Sequence, residues 1–243
     1  PFFFGSNLSF SVVLIIHKIR YMLKYILLIS GLIVISGGCK PPQKNAAGLS
    51  FDPYHYTITK KVEAQNGAVV SAHPLASKAG VSILKNGGNA VDAAIATQLA
   101  LAVVYPNAGN LGGGGFMVAR LSNGETVSLD YREMAPGAAH RDMYLDADGK
   151  ANLEKSQSGH LSSGVPGTVA GLFAAHKHGK LSFEKLIQPA IELAEKGFII
   201  TASEARSLNG LQNDLKKYNS VMPVFVKSTP WKEGDTLVQK DLA

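Results

Sequence analysis

Two runs decide the fold: Asn89-Ala-Val-Asp-Ala-Ala-Ile-Ala-Thr-Gln-Leu-Ala-Leu-Ala-Val-Val104 and Phe116-Met-Val-Ala-Arg-Leu-Ser-Asn-Gly-Glu-Thr-Val-Ser-Leu-Asp-Tyr131. The first is apolar almost all round, so it reads as an interior helix, and its many alanines let another layer approach closely. Asn89 offers its side chain to the free N–H groups of the first turn, and Asp92 reads as a helix-start residue sooner than a catalyst. The second run gives strands over 116–121 and 126–131 joined at Ser122-Asn123-Gly124, a strong hairpin signal. A hairpin beside apolar helices indicates an α/β chain of stacked helix and sheet layers.

Working outward, Gly67–Ala72 is a short apolar run suited to a buried strand. Leu75–Lys85 has the spacing of an amphipathic helix that ends at Gly87-Gly88. Further helices are expected over 166–176 with Pro166 in the first turn, over 182–196 capped by Ser182 and interrupted at Pro189, and over 202–217, weakened by Gly210. A polar connection fills 137–163.

The amino terminus reads as an address. From Met22, a short positive start, the apolar run Tyr25–Ile35 and Ser-Gly-Gly before Cys39 resemble a bacterial lipoprotein signal peptide, with Ser36 departing from the aliphatic residue usual there. A buried free cysteine or an ordinary secretory signal is the plainer alternative; the placement of Cys39 directly after Ser-Gly-Gly favours lipidation. Residues 1–39 are then leader plus signal peptide, with Met22 the expected start. Residues 40–62 are a polar tether and 63–243 the folded part. The expected location is the bacterial cell envelope, facing the periplasm, with the chain lipid-anchored to the outer membrane.

The chain has 243 residues and is 46% hydrophobic, enough for a sizeable core and too apolar for a disordered chain. Its lone cysteine excludes an intramolecular disulfide framework and a cysteine-cluster metal site. The net charge of +6 is half accounted for by Lys18, Arg20 and Lys24, leaving a mildly basic body for which nucleic acid is a poor partner. His73, His160, His176 and His178 lack metal-ligand spacing. No set of nucleophile, base and orienting residue is present, so no catalytic residue is assigned.

Two segments carry chemistry. Leu111-Gly-Gly-Gly-Gly-Phe116 is not a phosphate loop, because no Lys-Ser or Lys-Thr follows and the glycines lead into a strand. Four glycines there indicate a backbone passing very close to a neighbouring strand, a substrate or another segment's functional residue; a flexible loop is the alternative. Arg132, at the mouth of the second, buried strand, has the fork that grips a carboxylate through two parallel bonds, and equally well forms a structural ion pair with Glu133 or Asp130.

Several strings resemble the gamma-glutamyltranspeptidases (glutathione hydrolases): Ile83-Leu-Lys-Asn-Gly-Gly-Asn-Ala-Val-Asp-Ala-Ala94, Ala108-Gly-Asn-Leu-Gly-Gly-Gly-Gly-Phe-Met117, Asp130-Tyr-Arg-Glu-Met-Ala-Pro136 and Ser163-Gly-Val-Pro-Gly-Thr-Val-Ala-Gly171. Gln188-Pro-Ala190, Ala194-Glu-Lys-Gly-Phe198 and Gly234-Asp-Thr-Leu-Val-Gln239 continue the series. Each string is weakly diagnostic, whereas the ordered set is specific. The resemblance implies the αββα sandwich of the N-terminal-nucleophile hydrolases, incomplete in this stretch. It implies a proenzyme that cuts itself into two subunits, freeing an N-terminal threonine of the small subunit as nucleophile. That threonine takes the γ-glutamyl group of glutathione and passes it to water or an amino acid, without a cofactor. The family arginine that grips the glutamyl α-carboxylate falls on Arg132. The threonine and the small subunit lie beyond Ala243, so this stretch alone is expected to be inactive. The rivals are a cephalosporin or glutaryl-type acylase of the same fold and a truncated, non-catalytic envelope lipoprotein.

Overall fold

A computed structural model describes residues 61–243. Cys39 and nearly all of the expected leader and tether therefore lie outside the described residues. Helix α1 (Pro74–Lys85) begins at His73, whose Nδ1 accepts the Leu75 N–H at 3.2 Å, and ends where Gly87 takes a φ of +87°. Helix α2 (Ala90–Val104) opens with a reciprocal capping box: Asn89 Oδ1 accepts the Asp92 N–H at 3.0 Å, and the Asp92 carboxylate accepts the Asn89 N–H at 2.8 Å. Strands β1 (Phe116–Arg120) and β2 (Thr126–Asp130) form the hairpin, pairing Phe116 with Asp130 and Arg120 with Thr126. Helices α3 (Leu153–Gln157), α4 (Thr168–His176), α5 (Phe183–Lys196), α6 (Ala202–Gly210) and α7 (Gln212–Tyr218) follow. Strand β3 (Phe198–Ile199) pairs antiparallel with β4 (Thr236–Leu237).

Helix α2 is the hub, packed against α1, α4 and α5. Val91, Ile95, Leu99, Val103 and Val104 are buried along it, and Ala96 and Ala100 are wholly enclosed. Small residues set the spacing. A Cβ on Gly80 of α1 would lie 2.3 Å from Thr97 Oγ1 of α2, so this crossing needs glycine. One side of α2 is open: Ala94, Gln98 and Leu101 face a groove of about 1010 Å³, bordered by residues 66–72.

Asp92 is 0% exposed and reaches beyond its own helix. Its carboxylate also accepts the Lys180 N–H, at 3.0 and 3.1 Å, while Asn89 Nδ2 donates to His178 O at 2.7 Å. The start of α2 thus holds the α4–α5 turn, and the helix-start reading of Asp92 stands with a tertiary role added. A second polar link joins α1 to α6: His73 Nε2 lies 3.2 Å from Glu204 Oε1, and Glu204 closes a capping box with Thr201.

Several expectations need correction. Gly67–Ala72 is not a buried strand; among the described residues no strand pairs with it, and Val70 is 93% exposed. Apolar composition signals strand propensity, but a strand exists only through a paired neighbour. The hairpin is not buried either: alternate residues face out, with Val118 and Phe116 exposed. Helix α4 starts at Thr168, because the Gly167 and Thr168 N–H groups are drawn to Gly113 O at 2.8 and 3.0 Å, leaving Pro166 outside. Ser182 occupies the N-cap of α5 without a side-chain bond. That helix runs unbroken through Pro189, since Leu186, Ala190 and Ala194 bury one face and outweigh the lost hydrogen bond. The expected single helix over 202–217 is two. At the break Asn209 bonds both backbone groups of Trp231, and Gln212 Nε2 bonds Leu208 O and Phe225 O.

Candidate functional site

Three segments far apart in sequence meet around Arg132. The tetraglycine loop leads into β1, and its last glycine extends the hairpin: Tyr131 N donates to Gly115 O at 3.0 Å. Asn110 braces the bend, its Oδ1 accepting from Gly113 N at 2.9 Å and from Thr168 Oγ1 at 2.8 Å. From the other side, Met134 and Val165 exchange two backbone bonds of 3.1 and 2.8 Å. Residues 131–134 are thereby gripped between the glycine loop and the approach to α4.

Glycine makes this convergence possible. A Cβ on Gly114 would lie 2.6 Å from Arg132 Cα, one on Gly167 2.1 Å from Tyr131 O, and one on Gly171 2.1 Å from Tyr131 Cγ. Ordinary carbon–carbon contact is about 3.5–4 Å, so none of these positions accepts a side chain without displacement. The close approach expected of the tetraglycine run is real, and the object approached is the Tyr131–Arg132 backbone. The Tyr131 ring is held at its far end as well, where its hydroxyl donates to Gln98 Oε1 of α2 at 3.1 Å.

Arg132 lies two residues past the end of β2. Its side chain is 62% exposed and pairs with Asp130, not Glu133. Nε–H donates to Asp130 Oδ1 at 3.3 Å and Nη2–H to Oδ2 at 3.1 Å, while the Arg132 backbone N–H also donates to Oδ1 at 3.1 Å. The guanidinium carbon stands 4.9 Å from the centroid of the Phe116 ring. The Arg132 hydrogen bond pulls the Asp130 carboxyl below its ordinary range, and Asp130 in turn raises the guanidinium pKa. Of the two roles open to Arg132, the structure shows the ion pair. It uses Nε and one Nη2 hydrogen, and Nη1 has no protein hydrogen-bond partner among the described residues. Among the same residues, no group of three or more His, Cys, Asp and Glu side chains is arranged to hold a metal ion.

Sequence reasoning did not identify Asn110, Phe116, Gln98, Gly167 and Gly171 as parts of the site. A signal existed for the last two: glycines four apart share one helix face and mark a close approach.

A family model described as gamma-glutamyltranspeptidase matches residues 76–243, which include every segment of this site. The chain belongs to the gamma-glutamyltranspeptidase family. It is 46% identical over 226 residues to the glutathione hydrolase proenzyme of Escherichia coli, a match covering 89% of this chain and 37% of that protein. It resembles the crystal structure of Helicobacter pylori gamma-glutamyltranspeptidase with a TM-score of 0.72 and 47% identity, over 75% of this chain and 53% of that one. A cephalosporin acylase from Bacillus halodurans shares the fold at a TM-score of 0.65 but only 27% identity, over 77% of this chain and 36% of that one. The fold is therefore the mixed helix-and-strand one of gamma-glutamyltranspeptidases and related acylases, and the sequence sides with the former. The chain spans little more than a third of the length of its Escherichia coli relative.

Proposed function

We propose that this chain is the N-terminal part of a glutathione hydrolase, in which Arg132 holds the α-carboxylate of a γ-glutamyl substrate. The observation carrying this reading is the convergence of the tetraglycine loop and the Ser163–Gly171 string on the Tyr131–Met134 backbone, which carries one exposed guanidinium. A planar fork on a rigid backbone suits bidentate capture of a carboxylate. A threonine nucleophile on the small subunit would then attack the γ-glutamyl carbonyl and form an acyl-enzyme that water or an amino acid resolves. Within this chain the work is positioning: a fixed cation orients the substrate's head group while the reacting amide lies elsewhere.

Hydrolysis of γ-glutamyl-p-nitroanilide by the full-length gene product tests the reading, and Arg132→Ala should raise KM by at least about tenfold. A glutaryl substrate, which keeps the terminal carboxylate and lacks only the α-amino group, should be turned over far more slowly by an enzyme that reads the whole amino-acid head group. Equal rates would point to the acylase, and no hydrolysis of either would leave a non-catalytic envelope protein.

The address belongs to the same proposal: a leader and lipoprotein-type signal over 1–39, lipid on Cys39, a tether over 40–62 and a periplasm-facing domain anchored at the outer membrane. It is supported by the residues preceding Cys39. Cys39→Ala should move the protein out of the membrane fraction; retention there would refute the anchor.

A further inference from the structure

We infer that Asp130 is a positioning residue for substrate binding: together with the Phe116 ring, it orients the Arg132 guanidinium so that its outer edge faces an incoming carboxylate. This rests on the reading of Arg132 above and adds a residue to it.

A guanidinium has two edges able to bind a carboxylate through parallel bonds, one formed by Nε and Nη2 and the other by Nη1 and Nη2. Asp130 occupies the first, with donors at 3.3 and 3.1 Å, and its Oδ1 also accepts the Arg132 backbone N–H, which ties the carboxylate to the main chain. The Phe116 ring centroid lies 4.9 Å from the guanidinium carbon, a cation–π contact that holds the group against the hairpin. What remains is the outer edge, with Nη1 and the second Nη2 hydrogen available. An exposed arginine free in solution samples many rotamers, and holding one of them lessens the ordering a ligand must impose. The backbone supporting this assembly is immobilised in turn, because Phe116 is paired with Asp130 across the hairpin and Gly114 sits against Arg132 Cα. The strand pair therefore supplies the cation, its orienting anion and the stacking ring from neighbouring positions. A competing effect has the opposite sign: Asp130 also repels a carboxylate. Water and salt weaken this repulsion and the ion pair alike, while the bond from the Arg132 backbone N–H at 3.1 Å keeps the carboxylate on the Nε edge.

The test uses the full-length gene product and γ-glutamyl-p-nitroanilide. Asp130→Asn should raise KM roughly fivefold while changing kcat less than about twofold, the scale of one exposed charge-assisted pair. Asp130→Glu should recover most of the loss. Because Asp130 acts through Arg132, the double variant carrying Asp130→Asn and Arg132→Ala should match Arg132→Ala alone, a non-additivity that a purely structural role would not produce. An unchanged or lowered KM in Asp130→Asn, with Arg132→Ala still impaired, would overturn the role of Asp130 and leave Arg132 as the carboxylate ligand. An unchanged KM in Arg132→Ala would overturn both.

Discussion

Replacing Gly171 by Ala tests whether the site's geometry depends on close packing. The added methyl would lie 2.1 Å from Tyr131 Cγ, 2.5 Å from Cδ2 and 2.6 Å from Cβ. These atoms sit at the root of the side chain, so the clash is not relieved by rotating a flexible tip. Restoring ordinary contact requires a movement of roughly 1.5 Å, either by Tyr131 or by α4. Tyr131 is bonded at both ends, through its N–H to Gly115 O and its hydroxyl to Gln98, and α4 is bonded at its start to Gly113 O. Neither body gives way cheaply. Overpacking of this kind costs typically about 1–3 kcal/mol, and this site belongs at the upper end. In the full-length protein, whose Escherichia coli relative is nearly three times as long as the matched stretch, that corresponds to a Tm lower by roughly 2–4 °C. Arg132 is the next residue, so a displacement near 1 Å should also raise KM for γ-glutamyl-p-nitroanilide by at least about tenfold. Gly210→Ala is the control, because a Cβ there meets nothing within 4 Å. It should be neutral or stabilise by up to about 1 kcal/mol through reduced freedom of the unfolded chain. Thermal unfolding and kinetics on the two full-length variants decide the matter. If Gly171→Ala behaves like Gly210→Ala in both assays, the packing argument is wrong.

Asp92→Ala should destabilise the protein by about 2–4 kcal/mol, since it removes half of the capping box and leaves the Lys180 N–H without its partner; a urea midpoint within error of the wild type would contradict this. Glu204 supplies a pH dependence. Burial alone would raise its carboxyl, but the bonds from His73 and Thr201 outweigh that and hold it below the ordinary value. A lowered carboxyl contributes stability that is present above the unfolded pKa and lost as pH falls through the folded one. Wild-type unfolding midpoints should therefore drop between about pH 5 and pH 3, and the Glu204→Gln variant should show a shallower fall; parallel curves would remove Glu204 from the acid response.

The elements readable from the chain were those specified locally. Asn89 with Asp92 three residues on, the glycines after Lys85 and the Ser-Asn-Gly turn each hold their partners within a few residues, so α1, α2 and the hairpin stand close to where the pattern puts them. The misreadings arise where a distant group decides. Gly67–Ala72 has strand composition, yet strand structure requires a neighbour. Pro189 breaks an isolated helix, but a buried stripe of Leu186, Ala190 and Ala194 carries α5 through it. Gly210 marked a weakness whose outcome was set by Asn209 and Gln212 bonding to residues 225–231. The candidate site shows the same division. Arg132 and the glycine run stood out by residue type and position. Asn110, Gln98 and Phe116 did not, because their roles exist only once the loop, the hairpin and α4 are brought together.

The most direct measurement is a crystal structure of the full-length gene product with L-glutamate bound. The account predicts the ligand's α-carboxylate oxygens roughly 2.7–3.2 Å from Nη1 and Nη2 of Arg132, with Asp130 still on the Nε edge. A carboxylate held by other groups, with the guanidinium farther than about 4 Å away, would contradict it.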